Sequence, residues 1–145
     1  MRIAIAADHG GYDLRRQLVE ELEAQDYSVY DMGSYSSEPV DYPDIAEVVA
    51  RAIIAGECDR GVLICGTGIG MSLAATKVPG VRAAVCTNSY MARMARAHND
   101  AQIVCLGARV VGLGLASDII ATFITTEFSG AERHSRRVDK INALD

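Results

Sequence analysis

The sequence predicts an α/β fold: a three-layer, Rossmann-like domain with a five-stranded parallel sheet. Two observations carry that reading. Short apolar runs rich in branched residues alternate with segments of helical period along the whole chain. Those runs hold too few polar residues for one face to meet water, so the strands are expected to lie between helices. Strict βα alternation with right-handed crossovers then builds one parallel sheet covered on both sides.

Element by element, Ile3–Ala7 is the first apolar run and reads as a strand. The helix after it has Leu14, Leu18, Val19 and Leu22 on one face, opposite Arg15, Arg16, Glu20 and Glu23. Ser28–Asp31 is a short second strand. The irregular segment Gly33–Asp44, with Ser-Tyr-Ser-Ser, Pro39 and Pro43, reads as a surface loop on the binding edge. A helix follows with Ile45, Val48, Val49 and Ala52 aligned, and then Gly61–Cys65 as the third strand. A glycine-rich turn opens a further helix. Ala83–Cys86 and Gln102–Leu106 are the fourth and fifth strands, separated by a helix over Ser89–Ala97 that presents Met91, Met94 and Ala95. Leu115, Ile119, Ile120 and Phe123 mark the next helix, and the tail carries Arg133, Arg136, Arg137 and Lys140.

The 145 residues make one ordinary domain, 1–145, long enough to bury roughly two thirds of its unfolded surface. A formal net charge of -5 argues against binding to nucleic acid or to an anionic membrane, both of which need a basic face. No apolar stretch reaches the roughly 18 residues of a spanning helix, and Met1-Arg2 leads into a strand rather than a signal peptide. Cys58, Cys65, Cys86 and Cys105 form no C-x-x-C pair, and three of them end or interrupt apolar runs, as reduced buried thiols do. A cytoplasmic setting is therefore expected. Three histidines and no cluster of Cys, His, Asp or Glu at ligand spacing leave no zinc or iron site, so no metal is expected.

In open α/β sheets, ligands bind beyond the carboxyl ends of the strands. The residues at those ends are Asp8-His9-Gly10-Gly11, Met32-Gly33-Ser34, Gly66-Thr67-Gly68, Thr87-Asn88 and Gly107-Ala108-Arg109. Polar and glycine residues concentrate there. The run Cys65-Gly66-Thr67-Gly68-Ile69-Gly70-Met71-Ser72 leaves a buried strand and opens a helix, whose first N–H groups have no internal partners and favour an anion. Three readings compete for it. A dinucleotide site needs its third glycine one residue later and an acidic residue about 20 positions on, yet no Asp or Glu lies between Met71 and Asn99. A cysteine-based phosphatase would need an arginine in the loop, and position 71 is Met. A tight turn with Cys65 as core filler is the plain structural alternative. What favours chemistry is position: a thiol facing a helix N-terminus has its pKa drawn from about 8.5 toward neutrality. Such a thiolate can remove a proton alpha to a carbonyl, while loop N–H groups steady the developing enediolate oxygen.

Several spaced motifs then fall in order: IAIAADHGG at 3–11, DYP at 41–43, LICGTGIGMS at 63–72, AHND at 97–100, GARVVG at 107–112 and RHSRRV at 133–138. Over nearly its whole length the chain resembles the type B ribose-5-phosphate isomerases, in the family that also holds galactose-6-phosphate and allose-6-phosphate isomerases. The resemblance implies a metal-independent enzyme with no cofactor, interconverting ribose 5-phosphate and ribulose 5-phosphate through an enediolate. It implies Cys65, Thr67 and His98 as catalytic residues: Cys65 as proton carrier, Thr67 beside it, and His98 opening the sugar ring. Asp8, Gly66, Gly68, Ile69 and Gly70 would bind hydroxyls and the enediolate, with Asn99 on the sugar. His9, Arg109, Arg133 and Arg137 would surround the phosphate. It also implies a homodimer, alone or paired into a dimer of dimers, with active sites shared between subunits; the arginine-rich segment 130–145 would pack on the site or on the partner. A hexose 6-phosphate substrate is the nearest alternative, and a non-catalytic phosphate-ligand sensor is the alternative of a different class. His98 at a helix end has a plain reading too, as a C-cap, and His134 receives no role.

Overall fold

The computed structural model describes all 145 residues. Its strands are β1 (Arg2–Ala7), β2 (Ser28–Asp31), β3 (Arg60–Cys65), β4 (Ala83–Val85) and β5 (Ile103–Gly107). The helices are α1 (Tyr12–Ala24), α2 (Tyr42–Ile54), α3 (Ile69–Thr76), α4 (Ser89–Asn99), α5 (Leu113–Thr125) and α6 (Glu132–Asn142). All strand pairs are parallel and the order is β2-β1-β3-β5-β4. No helix is long and apolar enough to cross a membrane.

Hydrophobicity decides which strand goes where. β1, β3 and β5 are buried along nearly their whole length and fill the centre. β2 and β4 take the edges, where a strand has one neighbour and one flank open to water. Burial on both faces, expected of every strand, therefore holds for three and fails for two. The order also places β4 outside β5, so the chain passes over the β5 position before returning to fill it.

Two cores flank the sheet. On one side, Leu14, Leu18 and Leu22 of α1, Ala92 and Ala95 of α4, and Ile119, Ile120 and Phe123 of α5 cover Ile3, Ile5, Ile64 and Leu106. On the other, Ala46, Val49 and Ile53 of α2 and Met71 and Ala75 of α3 cover Ala4, Ala6, Leu63 and Cys105. Full burial of each large aliphatic side chain contributes about 1.5–3 kcal/mol.

Several expected helix faces are rotated. α4 buries Ala92, Ala95 and Arg96 while Met91 is exposed, and Val48 and Leu115 also face outward. Small residues let α4 approach the sheet closely, which the longer methionines would prevent. Arg15, expected on the solvent face of α1, is 3% exposed; its guanidinium pairs with Asp31 of β2 and lies 5.4 Å from the Tyr12 ring centroid. The loop before α2 ends sooner than expected, because Pro43 occupies the first turn of the helix, where a missing N–H costs nothing.

Candidate active site

The sheet reverses its winding between β1 and β3, whose neighbours lie on opposite sides, and the crevice beyond their carboxyl ends is the expected ligand site. Asp8 leaves β1 there. It is buried, and its Oδ1 accepts the Gly10 N–H at 2.9 Å, capping the short turn His9–Gly11. That turn brings Gly10 close to Gly66: a methyl group on Gly10 would sit 3.5 Å from the Gly66 nitrogen. His9 is exposed, and its Nδ1 accepts the Val40 N–H at 3.3 Å, tying the loop before α2 to this edge.

Cys65 ends β3 at 5% exposure, and its Sγ accepts the Gly68 N–H at 3.1 Å. Gly68 is the N-cap of α3 with φ of 81°, a conformation that disfavours a side chain, and a Cβ there would meet the β5 backbone at 3.0 Å. The turn is thus folded so tightly that the helix start faces the sulfur. An N–H aimed at sulfur is the kind of partner a thiolate takes. Thr67 is exposed on the loop, its Oγ1 accepting the Ile69 N–H at 3.3 Å. Arg109 follows β5, held by its N–H to the Gly66 carbonyl at 3.1 Å, with its side chain lying alongside Gly66.

Sequence reasoning passed over Tyr42 as a wall of this site. Its ring rests on Gly70 so closely that a methyl group there would lie 2.6 Å away. The DYP motif and the third glycine were both visible, but only the fold brings them together.

The other expected site residues lie elsewhere. α4 starts at the carboxyl edge and ends at the amino edge, carrying His98 and Asn99 to the opposite end of the sheet. The Arg82 Nε donates to the Asn99 carbonyl at 3.0 Å, beside the start of β4, and Ala101 and Gln102 lead directly into β5. β5, five residues and about 15 Å long, spans the distance between the two edges, so His98 and Cys65 of one chain stand at opposite ends of the sheet. Arg133 and Arg137 project from α6 beside His134, whose ring faces His98. α6 packs by His134 and Val138, leaving the two arginines exposed on the adjoining face.

The α4 terminus is tightly held. The Asp100 N–H donates to the Arg96 carbonyl, the Ser129 N–H to the Ala97 carbonyl, and Arg96 Nη1 reaches Asp100 Oδ1 and the Ala101 carbonyl at 2.8 and 2.7 Å. His98 is therefore not the C-cap; other groups do that work. Its ring lies instead against His134, centroids 4.1 Å apart and planes 32° from parallel. Burial, with His98, Arg133 and Arg137 nearby, pushes His134 below the ordinary histidine range. No three His, Cys, Asp or Glu side chains converge as a metal-ligand set.

Known proteins share both the sequence and the fold. Residues 3–141 match the model of the ribose/galactose isomerase family. The chain is 44% identical to ribose-5-phosphate isomerase B of Escherichia coli (strain K12) over 144 residues, covering 99% of this chain and 96% of that protein. It is 43% identical to a D-erythrulose-4-phosphate isomerase of Pectobacterium atrosepticum, over 97% of this chain and 93% of that one. The solved structure of Clostridium thermocellum ribose-5-phosphate isomerase B superposes with a TM-score of 0.97 at 58% identity, covering 99% of this chain and 97% of that one.

Proposed function

The chain belongs to the ribose/galactose isomerase family and is a sugar-phosphate isomerase, and on that premise we propose that it interconverts ribose 5-phosphate and ribulose 5-phosphate, with Cys65 as the base. The observation that carries the cysteine role is the Cys65 Sγ at the mouth of α3, accepting the Gly68 N–H at 3.1 Å on the ligand edge of the sheet. The relatives named as ribose-5-phosphate isomerases support the substrate.

The chemistry runs in two stages. The sugar phosphate arrives as a ring, and opening it moves the anomeric hydroxyl proton off and delivers a proton to the ring oxygen; His98 performs that exchange. The Cys65 thiolate then removes the C2 proton of the open aldose, and the electron pair becomes the C1–C2 double bond of an enediolate with its charge on O1. Loop N–H groups between Gly66 and Gly70 stabilise that charge, with Thr67 and Asp8 holding the hydroxyls. Return of the proton to C1 and transfer of the O2 proton to O1 give the ketose. His9, Arg109, Arg133 and Arg137 take the phosphate and Asn99 the sugar. No step calls for a metal or a cofactor.

Because His98 and Cys65 of one chain stand at opposite ends of the sheet, a site holding both needs a second copy. We therefore read the enzyme as a homodimer in which α4 and α6 of one chain carry His98, Asn99, Arg133 and Arg137 to the sulfur of the other. The whole chain, 1–145, acts as one isomerase domain in that assembly. Four free thiols support a reducing, cytoplasmic setting.

Cys65→Ala is expected to lower turnover by several orders of magnitude while the substrate still binds; retained activity would remove Cys65 from the base role. Substrate choice is a separate question, since a four-carbon ketose phosphate isomerase matches this chain about as well as the E. coli ribose enzyme. Rates on four-, five- and six-carbon aldose phosphates decide it, and a higher kcat/KM on a four- or six-carbon sugar would displace ribose.

A further inference from the structure

His134 is buried at 5% exposure in the first turn of α6, although it is polar and no role in binding or proton transfer has been given to it. Its Nδ1 lies 2.6 Å from the Ser129 Oγ, and its ring faces that of His98. Ser129 is itself fixed twice. Its N–H donates to the Ala97 carbonyl at 3.0 Å, one residue before His98, and its Oγ accepts the Ala131 N–H at 3.2 Å. A hydroxyl that accepts once keeps its own proton and a second lone pair, so this contact forms in whichever direction the His134 tautomer sets, and either way it ties the ring to Ser129.

We propose that His134 is a positioning residue: oriented by Ser129, it braces the His98 imidazole in the pose required for proton exchange at the sugar ring. This rests on the reading of His98 as the ring-opening residue. A half-buried imidazole at a helix end has free rotation about two side-chain bonds, and proton transfer tolerates little misplacement. The stack supplies one wall against which that rotation stops. The charged or titratable groups facing His134 are His98 from α4 and Arg133 and Arg137 from its own helix. Burial, with His98, Arg133 and Arg137 nearby, disfavours a charge on His134, which weighs against two like charges stacked 4.1 Å apart. All three residues, Ser129, His134 and His98, belong to one chain and would reach a second copy's Cys65 as a preassembled unit.

The test is a double-mutant cycle on ring-closed ribose 5-phosphate. Ser129→Ala removes one hydroxyl, and His134→Phe keeps a flat ring but cannot bond Ser129. Each is expected to lower kcat about tenfold with KM within about threefold, and Ser129→Thr, which keeps the hydroxyl, to restore it. In a His98→Asn background both changes are expected to have no further effect. If His98→Asn itself leaves turnover unchanged, the ring-opening reading fails and this inference with it. If His98→Asn slows turnover while Ser129→Ala and His134→Phe keep wild-type kcat, or cost the same factor in both backgrounds, His134 does not act through His98. Nitrogen NMR supplies a readout that packing alone would not move: His134 is expected to hold one tautomer in the wild-type protein and a mixture in Ser129→Ala, and a tautomer unchanged by Ser129→Ala would show that Ser129 does not orient the ring.

Discussion

The four buried thiols of the chain fall into two kinds. Cys105 lies wholly inside the sheet, and burial, with the Cys65 and Cys86 sulfurs nearby, holds its pKa well above the ordinary thiol range. Burial pushes Cys86 up to about 11 and raises Cys58 as well. These three are packing groups that stay protonated at neutral pH. Cys65 differs by position: it stands at the carboxyl edge with an N–H aimed at its sulfur. Iodoacetamide at pH 8 is therefore expected to label Cys65 first, with substrate slowing the reaction, and the other three only in denaturant. Peptide mass spectrometry checks this; equal labelling of Cys58 or Cys86 in the folded protein would contradict it.

Among the elements, ion pairs lock strand and helix ends that the hydrophobic pattern leaves loose. Arg15 ties α1 to β2, and Arg96 holds the α4 terminus on which His98 and Asn99 depend. At the amino edge, Arg2 of β1 pairs with Asp59, the residue before β3. The Arg2 side chain, and then its backbone N–H, hold the Asp59 carboxyl down at about 2. The sign follows from linkage. A carboxyl depressed in the folded state stabilises it fully above the unfolded value of about 3.9 and loses that contribution as pH falls toward 2. Both partners are well exposed, so the effect is small. Urea midpoints of the wild-type protein and Asp59→Asn are expected to differ at pH 6 and to converge by pH 2. A constant gap would show that the pair is not what Asp59→Asn removes.

At the scale of the whole molecule, the residues proposed for the site are split between two edges of one sheet. The geometry gives the shared-site reading a sharp test. Cys65→Ala and His98→Asn are each expected to be nearly inactive on ring-closed substrate. In a dimer containing one chain of each, one site carries both substitutions, and the other joins an intact Cys65 to an intact His98. Refolding the two variants together at equal amounts makes half the dimers mixed, so about a quarter of wild-type activity is expected to return. If the mixture stays as inactive as its components, the site is not shared in this way.

Much of the architecture was written in one dimension. Alternating apolar runs and helical periods gave five strands within a residue or so of their ends, because burial of apolar surface dominates the choice of element. The glycine turn after Cys65 was legible because only glycine tolerates both the φ of 81° and the close approach to β5 at Gly68. The order of strands was not legible, since β4 and β5 differ in burial rather than in kind. Nor was the burial of Arg15 or the seating of Tyr42 on Gly70. The pairing of His98 with His134 across 36 residues escaped as well, although His134 and Val138 share a helical face separate from Arg133 and Arg137. Such contacts join positions remote in the chain, and a linear pattern records what each residue prefers, not which neighbour the fold brings to it. The sequence by itself determined the element types and which polar and glycine residues gather at each strand end. Tertiary structure alone decided that the sulfur and the imidazole point from opposite ends of the sheet, because α4 must run the length of β5 before the chain can return.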